Sequence, residues 1–438
     1  MNRSDRFELP LTTDSEKAAQ LYCDGVDQLL AFQAVALETL DKAIAEDEQF
    51  ALAHIARARA LQVRAQVADA KQAAASARAL TANITERERQ HIEVLALLVE
   101  SRPAKAMALL LKHVDQWPKD ALPISIALGA IGLFAFSGRT DSRNHEREFL
   151  ASIKHHWSEH WWFDTYYGWV LVETGAHTEG NALLDRALAA KSNNAQAVHA
   201  RAHGHYECGD IPAGQIFLET HIPQLDADSL LMPHLRWHQA LMALQSGDMT
   251  NARKIYAEAI APDVSRAAPL LLMMDAASFA WRCHVYGQPL TDAQLKQVQE
   301  QAKTCLPKAG PSFFNWHKAM ALASAHDEPG LATLSKEVDE LIEAGRQPPG
   351  EVMKWICQAM SAAAAQRWDK AQTHLEQAQK NVRAIGGSNA QQDAITDALV
   401  AASLTNKHAG HAADLIQERS AARAMHLGQD WAKRITPH

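Results

Sequence analysis

GAHTEGNALLDRAL from Gly175, GDIPAGQIFLET from Gly209 and GDMTNARKIYAEAI from Gly247 are three versions of one unit. Each opens on a glycine and passes through a polar residue. Small and large apolar residues then follow at i, i+3 and i+4, the spacing that puts them on one helix face. The glycine suits a left-handed residue that ends one helix just before the next begins. The first two glycines are 34 residues apart and the next pair 38. A later stretch, WDKAQTHLEQA from Trp368, repeats the pattern without the glycine. A helix pair of this length cannot cover its own apolar face, so consecutive pairs must stack.

Outward from these units, helix signals continue in both directions. Alternating runs rich in Val, Ile and Thr are nearly absent. Thr85 with Glu88, Thr291 with Gln294, and Ser388 with Gln391 each have the S/T-x-x-E/Q spacing of a capping box. A period of 34 is that of the tetratricopeptide repeat (TPR). The expected fold is all-α: a TPR-like α-solenoid, a right-handed superhelix of antiparallel helix pairs. Three regions are expected within one continuous superhelix. Residues 1–140 hold N-terminal repeats, 141–290 the clearest repeats, and 291–438 a C-terminal set broken at Arg346–Gly350.

Composition excludes several function classes. Of 438 residues, 47% are hydrophobic and 21% charged, enough to bury a core through most of the chain. The net charge is −8 and no basic run stands out, so nucleic acid is not an expected partner. Met1 to Glu16 is polar and has no apolar leader segment. The five cysteines are scattered and form no CxxC, which fits a reducing cytoplasm. Ala121 to Gly138 is uncharged, but it is short of the ~20 residues a spanning helix needs. It also contains Pro123, Gly129 and Gly132. It reads as a buried solenoid helix, and no membrane partner is expected.

Six stretches carry a resemblance: TERERQH (Thr85 to His91), AVHARAHGHYECG (Ala197 to Gly209), HLRWHQALMALQSGD (His234 to Asp248), MDAASFAWR (Met274 to Arg282), FNWHKAMAL (Phe314 to Leu322) and GGSNAQQD (Gly386 to Asp393). In this order, from about Tyr22 to Arg419, the chain resembles the tetratricopeptide repeat protein 38 family. The resemblance implies a TPR-like fold and supplies no activity. Trp316 stands where the family tends to carry an acidic residue, and Gln392 where it tends to carry Arg.

The chemistry-bearing residues centre on histidine. His199, His203 and Glu207 lie at i, i+4 and i+8 and share a helix face. His234 and His238 repeat the i, i+4 spacing one unit later, His238 falling 35 residues after His203. Equivalent positions one period apart are neighbours on a solenoid surface. The expectation is a concave groove where His199, His203, His238 and His317 converge, with His234, Asp164, Tyr167, Glu207 and Asn315 around them. It would bind a small polar molecule or a peptide. The alternative is an enzyme using the histidines for acid–base or metal-assisted hydrolysis of a small amide or ester. No organic cofactor is expected. A divalent metal such as zinc is compatible, with His199, His203 and Glu207 as the ligand set, and HExxH is absent. Self-association is also open.

Other features have bland readings beside functional ones. The aromatic run from Trp157 to Trp169 reads as core or as a cage for a cation, with Asp164 and Tyr167 facing the groove. Gly386 to Ser388 reads as a helix-capping turn or as an anion site at that helix N-terminus. Arg87, Glu88, Arg89 and His91 read as a solvated first turn. Asp275 and Arg282, two turns apart in an apolar helix, read as a pair. No nucleophile motif is present; Cys208 lies five residues from His203 and so on another face.

Overall fold

The computed structural model describes residues 3–422. Apart from two two-residue strands, Arg3–Ser4 and Pro10–Leu11, the regular elements of the described residues are helical. Ten antiparallel pairs follow in chain order. α1 (Glu16–Leu30) pairs with α2 (Ala36–Glu46), α3 (Ala51–Val63) with α4 (Val67–Ala79), and α5 (Glu86–Val99) with α6 (Pro103–Gln116). After α7 (Ala121–Ser125) and α8 (Ser142–Ile153), α9 (Trp161–Glu173) pairs with α10 (His177–Ala190) and α11 (Ala195–Glu207) with α12 (Ile211–His221). Then come α13 (Met232–Gln245) with α14 (Met249–Ile255), α15 (Pro269–Val285) with α16 (Asp292–Cys305), and α17 (Ser312–Ser324) with α18 (Glu328–Glu343). α19 (Gly350–Ala364) with α20 (Trp368–Gln379) and α21 (Asn389–Thr405) with α22 (Ala409–Ala422) complete the array. From α9 to α19 the first helix of each pair packs on the first helix of the next, as in α9 on α11 and α15 on α17.

One turn closes the first helix of every pair. Phe32, Ala65, Ser101, Gly175, Gly209, Gly247, Gly287, His326, Gln366 and Lys407 all have positive φ. At each, the left-handed residue donates its N–H to the carbonyl three back, and the next residue donates to the carbonyl five back. This is the double hydrogen bond of a Schellman ending, which satisfies carbonyls the helix would otherwise leave bare. The three glycine units identified in the sequence are therefore three of ten copies, and Gly287 makes the same turn in a fourth. The three capping boxes form as expected, at Thr85, Thr291 and Ser388.

The buried apolar side chains fall into two clusters that meet at α11: one from Phe7 to Ala200, the other from Ala195 to Leu415. Ala121 to Gly138 is largely buried, with Ile131 and Ser137 exposed, but the expected helix ends at Ser125. Gly129, at φ 87, turns the chain into an irregular segment. Its N–H donates to Glu146 (2.7 Å) and its carbonyl accepts from Arg143 (3.0 Å). The missing charge reported burial there, while a buried ion pair supplies the hydrogen bonds a helix would have made.

The face lined by the first helices of the central pairs is covered by the chain itself. α21 is buried on nearly all sides and is gripped by three earlier first helices. From α9, Glu173 accepts the backbone N–H of Asn389 (2.8 Å). From α11, Tyr206 donates to Asp393 (2.6 Å). From α15, Arg282 donates to the Ala390 carbonyl (2.6 Å) and lies 3.3 Å from Asp397. No helix of the described residues is long and apolar enough to cross a membrane.

Candidate functional site: a buried histidine centre

α11 starts at Asn194, whose side chain accepts from the Ala197 N–H. That start sets His199, His203 and Glu207 along the face turned to α13, and α13 presents His234 and His238 in return. The structure brings these four histidines together. Ring centroids are 4.7 Å apart for His199–His203, 4.9 Å for His199–His234, 5.0 Å for His199–His238, 4.6 Å for His203–His238 and 4.9 Å for His234–His238. All four are buried, His203 and His238 completely. Trp237 stacks flat on His234, and Trp169 meets His203 edge-on.

Two carboxylates flank the cluster from outside. His234 Nδ1 lies 2.8 Å from Asp275 Oδ1 on α15. His203 Nδ1 lies 3.0 Å from Glu173 Oε1 on α9, close but not well aligned for a hydrogen bond. A carboxylate oxygen at such range requires the proton on Nδ1, because two lone pairs would repel. Nε2 of both rings is then bare. His203 Nε2 lies 3.1 Å from His199 Nε2. His199 Nδ1 and both nitrogens of His238 have no hydrogen-bond partner among the described residues.

The electrostatics follow from burial. Desolvation, then the other histidines, pushes His199 and His238 well below the ordinary 6.5. Burial opposes charge on Glu173, yet His203, Arg143 and the Asn389 N–H hold its carboxyl below the ordinary range. Burial raises Asp275, partly offset by His234. One nitrogen from each of His199, His234 and His238 lies within 4.8 Å of the others, the donor set that could hold a metal ion. This differs from the expected set of His199, His203 and Glu207. Glu207 instead accepts from the Asn389 side chain (3.2 Å), because α21 packs where an open groove was expected.

His317 lies at the edge of the cluster. Its Nδ1 bonds the Phe313 carbonyl (2.8 Å), and burial takes its pKa to about 3, with Arg282 and His234 contributing. Three expected residues are committed elsewhere. Asp164 is gripped by Arg186 of α10 through two 2.7 Å bonds. Tyr167 packs on Phe163, with the Lys154 ammonium 5.0 Å from its ring. Asn315 holds the preceding turn, donating to the Gly310 carbonyl (2.8 Å) and accepting its N–H (2.7 Å). Asp164 and Asn315 satisfy their polar atoms locally, and the Tyr167 ring is packed between local neighbours.

Other expectations are also corrected. Arg87 and His91 are buried on Asp120 rather than solvated (2.8 and 2.9 Å). Asp275 pairs with His234 and Arg282 with Asp397, so the two do not meet each other. The aromatic run is mostly core, with Trp157 stacked on Phe163. The N-terminus of α21 does receive a carboxylate, that of Glu173. Glu173 was missed from sequence, although a lone carboxylate ending the apolar run YYGWVLVE was a usable signal.

The pair period, 34 residues between the starts of α9 and α11, and the stacked antiparallel pairs make the chain a TPR-like α-solenoid. No family model matches it. Among solved structures it is similar to yeast Tom70, at 13% identity and TM-score 0.38 over 91% of each chain. It is also similar to the Cut9–Hcn1 hetero-tetramer of the APC/C, at 10% identity and TM-score 0.35 over 97% of each. A third likeness is to the TPR domain of P58(IPK), at 15% identity and TM-score 0.21 over 89% of this chain and 98% of that one. At such scores these likenesses carry no inference about the site.

Proposed function

We propose that this chain is a helical-repeat scaffold of the tetratricopeptide repeat protein 38 family whose functional site is the enclosed histidine centre, and that it binds a small polar ligand there. One observation carries the reading: His238 is completely buried among three other imidazoles with both ring nitrogens unpartnered. A buried polar group without a partner costs about 1–3 kcal/mol, which a fold keeps only for a return elsewhere. The family reading draws support from placement. The second to fifth of the six resembling stretches lie on α11, α13, α15 and α17, and the sixth begins α21. A small ligand is favoured over an extended peptide because α21 occupies the concave face. Buried free thiols at Cys23, Cys283 and Cys357 suit a reducing compartment such as the cytoplasm.

The enzyme reading rests on the same centre. Carboxylate-backed imidazoles, Glu173–His203 and Asp275–His234, are the arrangement that orients a general base. Both readings meet one test. Amino acids, short carboxylates, small amides and free-ended peptides are screened by the melting temperature of the full-length chain. We expect a small compound to raise it in the wild type and not in His203→Gln. Hits confined to peptides and indifferent to that change would contradict the reading. Turnover of an amide or ester, lost in His203→Gln, would favour the enzyme.

A further inference from the structure

We propose that the ligand of the histidine centre is a first-row divalent transition-metal ion of the zinc class, held by the imidazoles of His199, His234 and His238 with His203 completing the set. The inference rests on the functional reading above and names its ligand. Its physical basis is the direction of the lone pairs. Asp275 and Glu173 lie outside the ring of histidines and occupy the Nδ1 side of His234 and His203. Both rings therefore turn a bare Nε2 inward. His238 has two nitrogens free of partners and His199 has one. Each of the four neutral rings also has one lone-pair nitrogen, so four lone pairs are available to a cation. A small anion would meet the inward Nε2 lone pairs of His203 and His234 head-on.

The spacing suits a metal. A tetrahedral zinc with bonds of ~2.0–2.1 Å holds its nitrogens ~3.3–3.4 Å apart. His199 Nε2 and His203 Nε2 already lie 3.1 Å apart. The nitrogens of His199, His234 and His238 fall within 4.8 Å of one another, so small ring rotations close the set. A hydrogen bond explains the 3.1 Å contact but leaves His238 unexplained. Imidazole is a borderline ligand, suited to Zn(II), Co(II), Ni(II) or Cu(II) rather than to Ca(II) or Mg(II). Carboxylates behind ligating histidines fix ring tautomer and raise basicity. Such partners stand behind two of the four rings. With four protein ligands the site would be closed and hold its ion structurally, which would turn the enzyme reading away from metal-assisted hydrolysis.

The test uses full-length protein stripped with a chelator and titrated with Co(II) alone, then with Zn(II) in competition. We expect one tight Co(II) per chain with the visible d–d bands of a four-coordinate ion, displaced by Zn(II). X-ray absorption of the zinc form should show scattering from three or four imidazoles. His238→Gln should abolish the bands while helicity by circular dichroism is retained. Asp275→Asn should weaken binding by about 10–100-fold. His155→Ala/His156→Ala, a neighbouring pair on the exposed surface, should change nothing. No bound Co(II), a zinc shell without imidazole scattering, or unchanged binding in His238→Gln would overturn the proposal. If His238→Gln does not fold, the wild-type absorption spectrum and Asp275→Asn still decide it. A wild type that ignores metal yet is stabilised by an organic compound through His203 would end this inference and leave the functional reading standing.

Discussion

Two places in this molecule bury histidine beside carboxylate, and they are built inside out from each other. Near the N-terminus, Asp120 sits at the middle. Arg87 (2.8 Å), His91 (2.9 Å) and His113 (3.1 Å) all contact its two oxygens. The donors point inward and the charge at the centre is met. The spare nitrogens, His91 Nε2 and His113 Nδ1, are buried without partners, but only two imidazoles meet here. Between α11 and α13 the imidazoles are at the middle and the carboxylates, Glu173 and Asp275, stand outside. Here the Nε2 acceptors of His203 and His234 point inward, His199 Nε2 lies 3.1 Å from that of His203, and both nitrogens of His238 have no partner among the described residues. Burial is alike in the two places; the arrangement separates them, a carboxylate ringed by donors in one and imidazoles ringed by carboxylates in the other.

The largest expected effect breaks the first half of that contrast. Asp120→Ala strands a buried guanidinium, and losing one partner of a buried pair costs about 3–5 kcal/mol. Urea unfolding should show that loss. In the histidine centre the same logic gives a different outcome. His238→Leu removes unpartnered nitrogens and should leave stability of the metal-free chain within about 1 kcal/mol. Equal losses from the two substitutions would mean that both centres are structural knots.

A smaller effect separates the centres by pH. His199 and His238 have folded-state pKa values depressed below 6.5, so the folded chain favours their neutral forms. Their contribution is complete above about pH 6.5 and declines as pH falls below it, by at most about 1.4 kcal/mol per unit for each. Burial opposes the charge on Asp120, but His91 and Arg87 outweigh it and hold its pKa well below the ordinary 3.8. Its contribution persists above that value and is lost only as pH falls further. Unfolding free energy measured from pH 7 to pH 3 should therefore decline first through the histidines. His199→Gln/His238→Gln should flatten the upper part of the curve. Asp120→Asn should flatten only the part below about pH 4.

How much of this was legible in the sequence follows from the same residues. The repeat showed itself where glycine marks the left-handed turn, at Gly175, Gly209 and Gly247. At Phe32, Ala65, Ser101, His326, Gln366 and Lys407 the same turn is made by residues that disfavour it. Stacking of the pairs imposes it there, and no local pattern announces it. The four histidines were legible because i, i+4 spacing and a period near 34 are both local rules. The carboxylates behind them were not, since Glu173 and Asp275 come from the preceding and following pairs. Asp164, Tyr167 and Asn315 were misplaced for a related reason. Their partners Arg186, Lys154 and Gly310 are close in sequence but offer no periodic sign. The closure by α21 is a long-range contact, as the Glu173–Asn389 bond across 216 residues illustrates.

Bare ring nitrogens converge between α11 and α13, and nitrogen NMR of the metal-free chain reads their protonation directly. With ¹⁵N-labelled histidine at pH 7, and His203→Gln and His234→Gln variants for assignment, the protonation of each ring nitrogen can be observed. The account predicts a protonated Nδ1 and an unprotonated Nε2 for both His203 and His234. A protonated Nε2 on both rings, whether as the other tautomer or as imidazolium, would contradict it.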